Sequence, residues 1–304
     1  MSAVHFPKTA GEYMSEFKKY HPIVNLVYFV FVTVLSCILT HPVCLAASLI
    51  CSAVYFAVIK GAESLKQSMK FVVPTALAAA VINPMFNHAG VTVIAYFPNG
   101  NPLTAESLLY GIAAAAMISS VIFWFMCLNE IMTSDKVICL FGAFAPSLSL
   151  IIAMTLRFVP EFTRRFREAA DAQKCMGHSG HAGKLNRLKR ALSVFSVTVT
   201  SMLEGGIDTA DSMKSRGYGL PGRSAYQLYV FDARDRKTIV TVLFLGIYSF
   251  LGFFIGKLYF AYFPTAKSVE LSPITASFFA AYILLCVCPI IIELREEKRW
   301  KATE

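Results

Sequence analysis

Residues 20–59 read YHPIVNLVYFVFVTVLSCILTHPVCLAASLICSAVYFAVI, and this run contains no Asp, Glu, Lys or Arg. A helix that crosses the hydrocarbon core of a bilayer needs about 20 apolar residues, so the run is long enough for two. His41-Pro42 lies near its middle and marks the turn, because proline suits the first turn of a helix but not its interior. The run therefore predicts two successive membrane helices.

Long uncharged runs recur along the rest of the chain and predict further membrane segments. Apolar residues make up 56% of the chain and charged residues 15%, against about 45–50% and about 25% in soluble proteins. This composition excludes a disordered chain, a secreted disulfide scaffold and an ordinary cytosolic enzyme. We therefore expect an all-α polytopic membrane protein with about five to seven membrane-embedded helices and, because Met1–Lys19 is polar, no cleavable signal peptide. The further runs are Phe71–Ala105, Ser107–Asn129, Val137–Leu156, Thr238–Gly256 and Leu271–Ile292.

The positive charge is concentrated in one block. Arg157–Lys237 contains 15 Lys and Arg but only 8 Asp and Glu, which places +7 of the net +9 there. The positive-inside rule assigns this block, the Lys60–Lys70 loop and both chain ends to the cytoplasm. Nucleic-acid binding is the alternative for a basic block, but a basic face beside membrane spans is already what the rule predicts. We expect the lipid bilayer and no nucleic acid as a partner, and three regions: 1–156, 157–224 and 225–304.

The run Val137–Leu156 conflicts with this topology if it crosses the membrane. With the N-terminus inside, a full span here would leave Arg157 outside. Either the segment is re-entrant or interfacial, or an earlier segment is not a full span. Pro146, Ser147 and Ser149 favour a broken or interfacial helix.

The basic block predicts two long helices that each end in glycine. The first is expected to begin at Pro160 and end at Gly177, and the second to run from about Lys184 to Arg216-Gly217. Gly205-Gly206 is expected to interrupt the second helix, as a bend or a place of close backbone approach. The second helix carries a heptad seam that predicts packing on another helix. The seam consists of Leu185, Leu188, Leu192, Phe195, Val199 and Met202.

The end of the second helix, ADSMKSRGYG at residues 210–219, resembles a signature of the transmembrane T component of energy-coupling factor (ECF) transporters, the CbiQ/EcfT-like family. That family carries an Ala-Arg-Gly-like motif at the end of each of two cytoplasmic coupling helices. The motifs here are Ser215-Arg216-Gly217 and Cys175-Met176-Gly177. The run LRFVP at 156–160 and the pairs His21-Pro22 and His41-Pro42 also match the family's pattern.

The resemblance implies a subunit without catalysis, cofactor or metal of its own, in a prokaryotic cell membrane. It implies two cytoplasmic ABC-type ATPases as partners, together with one membrane subunit that holds a vitamin or a metal ion such as cobalt. It also implies that the six motif residues contact the ATPases, and that Arg157, Pro160, Gly205 and Gly206 support the coupling helices. Because Met176 replaces the first motif's arginine, that contact is expected to be lost or apolar.

An ion-coupled secondary carrier is the alternative function. The uncharged runs contain no Asp, Glu, Lys or Arg, residues that such carriers usually hold in the membrane, and this disfavours the alternative. The chain also lacks a Gly-x-x-x-x-Gly-Lys-Ser/Thr loop, so ATP is expected to bind elsewhere. His178 and His181 have metal-ligand spacing, but we interpret the pair as a solvated loop.

Overall fold

The structure is a computed structural model, and it describes residues 16–87, 90–96, 102–176, 184–221, 229–256, 258–263, 267–268 and 272–301. These residues form a short 3-10 helix, Glu16–Lys19, and nine α-helices, which confirms the all-α fold class. The helices are α1 (Pro22–Ile38), α2 (Pro42–Lys60), α3 (Ala62–Phe86), α4 (Ala105–Ile131), α5 (Ser134–Phe144), α6 (Pro146–Cys175), α7 (Lys184–Ser215), α8 (Ala233–Phe254) and α9 (Pro273–Lys301).

Two small antiparallel hairpins lie in the connections and were not predicted. Strand β1 (Val93–Tyr96) pairs with β2 (Pro102–Thr104), and β3 (Phe260–Ala261) pairs with β4 (Lys267–Ser268). Each strand is at most four residues long, so a single tertiary contact is enough to decide its conformation.

Five helices in the described part of the chain are long and apolar enough to cross a membrane: α2, α3, α4, α8 and the Pro273–Arg295 part of α9. Helix α1 is equally apolar but has only 17 residues. These helices agree with the predicted range of five to seven membrane-embedded segments.

Both His-Pro pairs start helices, as the sequence suggested. Pro22 and Pro42 are the first residues of α1 and α2. In each case the preceding histidine caps the helix, because its Nδ1 accepts a hydrogen bond from the backbone N–H two residues later. This distance is 3.3 Å both for His21 and for His41. The cap satisfies one of the backbone donors that a helix start leaves unpaired.

The chain forms two compact units. Unit 1 comprises Met1–Lys136 and Tyr229–Glu304, and unit 2 comprises Val137–Leu228. In unit 1, α4 packs on α1, α2 and α3, while α9 packs on α2 and α8. Unit 2 contains α6, α7 and most of α5.

Polar contacts show which helix ends meet in unit 1. Lys60 at the end of α2 forms an ion pair with Glu130 near the end of α4, at 2.9 Å. The backbone N–H of His21, just before α1, donates to Asp235 Oδ1 in the first turn of α8 at 3.3 Å. The backbone N–H of Glu16 donates to Glu293 in the second half of α9 at 2.9 Å.

A buried hydrogen-bond network joins four helices in the apolar core of unit 1. Ser36 Oγ of α1 lies 2.8 Å from Ser48 Oγ of α2 and 3.0 Å from the Tyr282 hydroxyl of α9. Trp124 Nε1 of α4 donates to Ser48 Oγ at 3.0 Å. All four side chains are buried. The network satisfies polar groups that would be costly to leave unpaired in apolar surroundings.

Helices α3 and α4 approach each other closely at Gly111. A Cβ at this position would lie 2.7 Å from the backbone carbonyl oxygen of Ala80, so the two backbones would have to separate. We expect Gly111→Ala to reduce the free energy of unfolding by about 1–3 kcal/mol, the usual cost of overpacking. Thermal unfolding of the purified protein in detergent measures this effect.

The matched control for this prediction is Gly206→Ala, which adds the same methyl group inside a helix where no heavy atom lies within 4 Å of the new Cβ. An equal melting temperature for Gly111→Ala and the unsubstituted protein would contradict the prediction. It would show that α3 moves away from α4 without a loss of stability.

Two predicted features of the long helices are wrong. Helix α6 begins at Pro146, not at Pro160, and continues through Pro160 to Cys175. Helix α7 continues without interruption through Gly205 and Gly206. Proline removes one backbone hydrogen bond and a glycine costs about 1 kcal/mol, and helices of 30 and 32 residues tolerate these local losses.

The run Val137–Leu156 is divided between two helices. Helix α5 ends at Phe144 and α6 begins at Pro146, so the segment is broken where its proline predicted. Ser149 Oγ donates to the carbonyl of Ile138 across the break at 2.9 Å. Neither α5 nor α6 has the length and hydropathy of a membrane span.

Candidate coupling site

Helices α6 and α7 form an antiparallel pair. Gln173 near the end of α6 donates to Ser193 Oγ in the first third of α7 at 3.1 Å. Arg165 lies earlier in α6 than Gln173, and it donates a hydrogen bond to Ser201, which lies later in α7 than Ser193. Later residues of α7 therefore contact earlier residues of α6, which means that the two helices run in opposite directions.

Arg165 is the main polar brace between the two helices. Its Nη1 donates to the Ser201 backbone carbonyl at 3.1 Å and to Ser201 Oγ at 2.7 Å. Its Nε donates to Glu161 Oε1 at 2.8 Å, so the guanidinium links α6 to α7 by a charge-assisted arrangement. Sequence reasoning did not identify this residue as a site. The available signal was the spacing of Glu161 and Arg165 by four positions, which is common on exposed helices.

The Glu161 carboxylate keeps the brace in place across the ordinary pH range. It accepts hydrogen bonds from Arg164 and Arg165, and these two guanidinium groups lower the pKa of Glu161 to about 2. A depressed carboxyl pKa contributes stability that is present above its unfolded value and is lost as pH falls through the folded value. The contribution is therefore constant above about pH 5.

The predicted seam of α7 meets α6 in its second half, through Phe195, Val199 and Met202. Val194 and Thr198 are the buried positions of α7, whereas Leu185, Leu188 and Leu192 are more than half exposed. Phe195 contacts α6, with its ring 6.1 Å from that of Phe162. The prediction followed apolar spacing, and it therefore included three leucines that stay exposed.

An apolar groove with a volume of about 520 Å³ lies between α6 and α7. Val199 and Met202, the last two residues of the predicted seam, belong to its lining. It is lined by Phe158, Phe162, Val199, Met202, Leu203, Gly206, Ile207 and Ala210.

The second motif, Ser215-Arg216-Gly217, forms a Schellman end to α7. Gly217 has φ +78°, a left-handed conformation that glycine adopts without strain. Its N–H donates to the Lys214 carbonyl at 2.9 Å, and the N–H of Tyr218 donates to the Met213 carbonyl at 3.0 Å. These two bonds define the motif. Arg216 is exposed at this end.

The first motif is described only in part. Helix α6 ends at Cys175, and the backbone N–H of Met176 donates to the Ala172 carbonyl at 3.1 Å. Cys175 and Met176 are exposed, with Met176 at 67%. Gly177, His178 and His181 lie outside the described residues. Within the described residues, no group of three or more metal-binding side chains is present.

The antiparallel arrangement separates the two motifs. Met176 lies close to the Gln173–Ser193 contact, whereas Ser215 lies 22 residues further along α7. At 1.5 Å per residue this is about 33 Å. The two motifs therefore lie at opposite ends of the helix pair and cannot form one compact site.

The predicted supporting residues divide into two sets. Gly205 lies against the Arg165 guanidinium, to which a Cβ would make an ordinary contact at 3.6 Å, and Gly206 lines the apolar groove. Arg157 and Pro160 are exposed positions of α6, one to two turns before Arg165.

The fold and the site define a polytopic helical membrane protein that carries a braced helix pair with two separate, exposed ends. The family model CbiQ, described as cobalt transport protein, matches residues 17–226. The match covers 210 of the 304 residues and includes both motifs. The chain belongs to this family of transport proteins, which confirms the resemblance found in the sequence. A search of curated proteins found no match.

The left-handed glycine at the end of α7 gives a direct prediction. We expect Gly217→Ala to reduce the free energy of unfolding by about 1 kcal/mol, because an alanine resists positive φ. The new Cβ would also lie 3.1 Å from Leu220 Cδ1. Hydrogen exchange at the last turn of α7 measures the loss as faster exchange at Gly217 and Tyr218. Gly206→Ala, in a helical and open position, should stabilise the same helix, and unchanged exchange in Gly217→Ala would contradict the assignment.

Proposed function

We propose that this protein is the transmembrane scaffold subunit of an ATP-driven importer of the ECF type. In this proposal two cytoplasmic ABC-type ATPases dock at the exposed ends of α6 and α7. The helix pair passes their movement to a separate membrane subunit that holds the cargo. The observation that carries the proposal is the separation of two motif ends by about 33 Å on one braced helix pair, which supplies two docking points for two ATPases.

The end of α7 has the chemistry of a docking contact. An arginine in the last turn complements the negative end of the helix dipole, and its planar guanidinium can bind carboxylates or carbonyls of a partner in a fixed geometry. Gly217 ends the helix sharply beside it. The end of α6 offers Met176 instead, whose flexible thioether side chain suits an apolar contact. The two docking contacts are therefore chemically different.

The brace between the helices supports the transmission of movement. Arg165 holds α7 through both the backbone and the side chain of Ser201, so a displacement of one helix end is carried to the other helix instead of being lost in sliding. The apolar groove and the exposed leucines of α7 present a surface to the membrane partner.

The topology that fits this function has six crossings, with α1 included. Four crossings, α1–α4, return the chain to the cytoplasm at Ile131, and α8 and α9 add two more. The contacts Lys60–Glu130 and His21–Asp235 agree with this count, since each joins two helix ends that it assigns to the cytoplasm. In this topology α5 and α6 do not cross the membrane, so Arg157 stays on the side that its charge requires.

Labelling of single cysteines from outside intact cells tests this orientation. With the native cysteines replaced, Lys189→Cys in α7 should be protected and Tyr259→Cys after α8 should react. Both positions are exposed in the structure. The reverse pattern would overturn the orientation.

Affinity purification of the protein from membranes tests the function. We expect two ATPases and one small membrane protein to be recovered with it, and uptake by the reconstituted complex to require ATP. The family description makes cobalt the first cargo to test, followed by vitamins. Recovery of the chain alone, with uptake driven by an ion gradient, would instead establish a secondary carrier.

A further inference from the structure

The chain connects unit 1 to unit 2 at two points. It leaves unit 1 after Lys136 and returns at Tyr229. Both residues belong to one polar cluster in unit 1, defined by Asn25, Lys136, Tyr229 and Asp235. Lys136 is only 1% exposed, although a lysine is rarely buried without a partner.

Lys136 is held between α1 and the returning chain. With its amide turned so that both neighbours are satisfied, the Asn25 nitrogen donates to the Phe17 carbonyl at 3.2 Å and its oxygen accepts from Lys136 Nζ at 2.5 Å, whereas the opposite orientation forms neither bond. The same ammonium lies 6.0 Å from the centre of the Tyr229 ring, within reach of a cation–π attraction. The exit and return points of unit 2 are thus tied to each other and to α1.

Asp235 extends the cluster into α8. It is 2% exposed, and its carboxylate accepts from the backbone N–H groups of His21 at 3.3 Å and Asp232 at 3.2 Å. Asp235 thereby joins the start of α1 to the start of α8, and its charge opposes the effect of burial on Lys136. Burial, with a contribution from Lys18, lowers the pKa of Lys136 to about 8.

Packing alone does not account for a lysine at this position. Removing an ammonium from water is strongly unfavourable unless hydrogen bonds and opposite charge compensate. An apolar side chain of similar length would fill the same space without that cost. The charge therefore serves to fix the positions of the groups around it.

We infer that Lys136 is a positioning residue that pins both connections of unit 2 to the starts of α1 and α8, so that movement of the helix pair is delivered to the membrane helices instead of being absorbed in the connections. This inference rests on the proposed function for its role in transport. The pinning itself does not depend on ATPase partners.

Lys136→Met tests the inference, because methionine keeps the length of the side chain and removes the ammonium. In the purified transport complex we expect ATPase docking and ATP hydrolysis to be retained, while the amount of cargo taken up per ATP falls at least tenfold. A merely destabilised protein would lose hydrolysis and uptake together. Lys237→Met is the matched control, since it removes an exposed charge from α8 and should leave the ratio unchanged.

A second measurement works on the chain without its partners. Spin labels at Lys66 in α3 and Lys189 in α7, with native cysteines replaced, report the spread of distances between the two units. We expect a broader distribution in Lys136→Met than in Lys237→Met. If the unsubstituted chain recruits no ATPases, the proposed function is wrong. The width of the distance distribution still tests whether Lys136 fixes the two connections of unit 2.

An unchanged distribution together with an unchanged ratio of uptake to ATP would overturn the inference. If Lys136→Met does not fold, Lys136→Met with Asp235→Asn removes both buried charges and restores neutrality. A folded double variant that couples normally would equally overturn it, whereas a folded and uncoupled one would support it.

Discussion

Arg216→Glu should abolish ATP-dependent uptake while the protein remains in the membrane in normal amounts. A charge-assisted hydrogen bond at a desolvated contact contributes about 1.5–3 kcal/mol, and reversal of the charge adds repulsion. Loss of that contact alone weakens docking roughly tenfold to more than a hundredfold. Because Arg216 is exposed at the end of α7, the substitution leaves the core of the protein untouched. Co-purification of the ATPases and cargo uptake, at matched expression, measure the effect.

Met176→Ala provides the comparison at the other helix end. It removes an exposed apolar side chain, so we expect a milder loss of docking than in Arg216→Glu. Full docking and uptake in Arg216→Glu would show that this arginine is not the coupling contact. A larger loss in Met176→Ala would make the end of α6 the dominant docking point.

Arg165→Met should loosen the helix pair and reduce uptake more than ATPase docking. The substitution removes the bonds to Glu161 and to both acceptors of Ser201. Because the guanidinium is about one-third exposed, solvent competes for these bonds, and we expect a cost of about 1–3 kcal/mol in the free energy of unfolding. Hydrogen exchange along α6 and α7 should rise around Ser201.

Arg164→Met is the control, because Arg164 shares Glu161 but its ion pairs lie within α6. Its effect should stay within about 0.5 kcal/mol, as for other surface ion pairs. The difference between the two variants should also be the same at pH 5.5 and pH 8, since Glu161 is ionised at both. Equal effects of Arg164→Met and Arg165→Met would show that the contact with Ser201 does not hold the pair.

The sequence predicted those parts of the fold that depend on local chemistry. Except for Val137–Leu156, the uncharged runs located the membrane helices, because a bilayer imposes length and hydropathy on each segment independently. The His-Pro pairs marked two helix starts, and Gly217 marked a helix end, because each residue satisfies a requirement of the backbone at that point.

The features that sequence reasoning missed depend on contacts between distant segments. Pro160 was interpreted as a helix start, but the preceding turn is already helical in the folded chain. The brace from Arg165 to Ser201 joins residues 36 positions apart, and no local pattern encodes such a pair. The burial of Lys136 likewise depends on Asn25 and Tyr229, which lie far from it in sequence and come together only in the packed bundle.

The network of Ser36, Ser48, Trp124 and Tyr282 has a consequence for biogenesis. Lipid supplies no hydrogen bonds, so an inserted α1 or α2 carries a serine hydroxyl whose partners on other helices arrive later. Trp124 arrives with α4, and Tyr282 arrives only when α9 is synthesised. The nascent bundle is therefore incomplete at its centre until α9 docks. A chain that ends before α9 would expose this unfinished core to the quality-control proteases of the membrane.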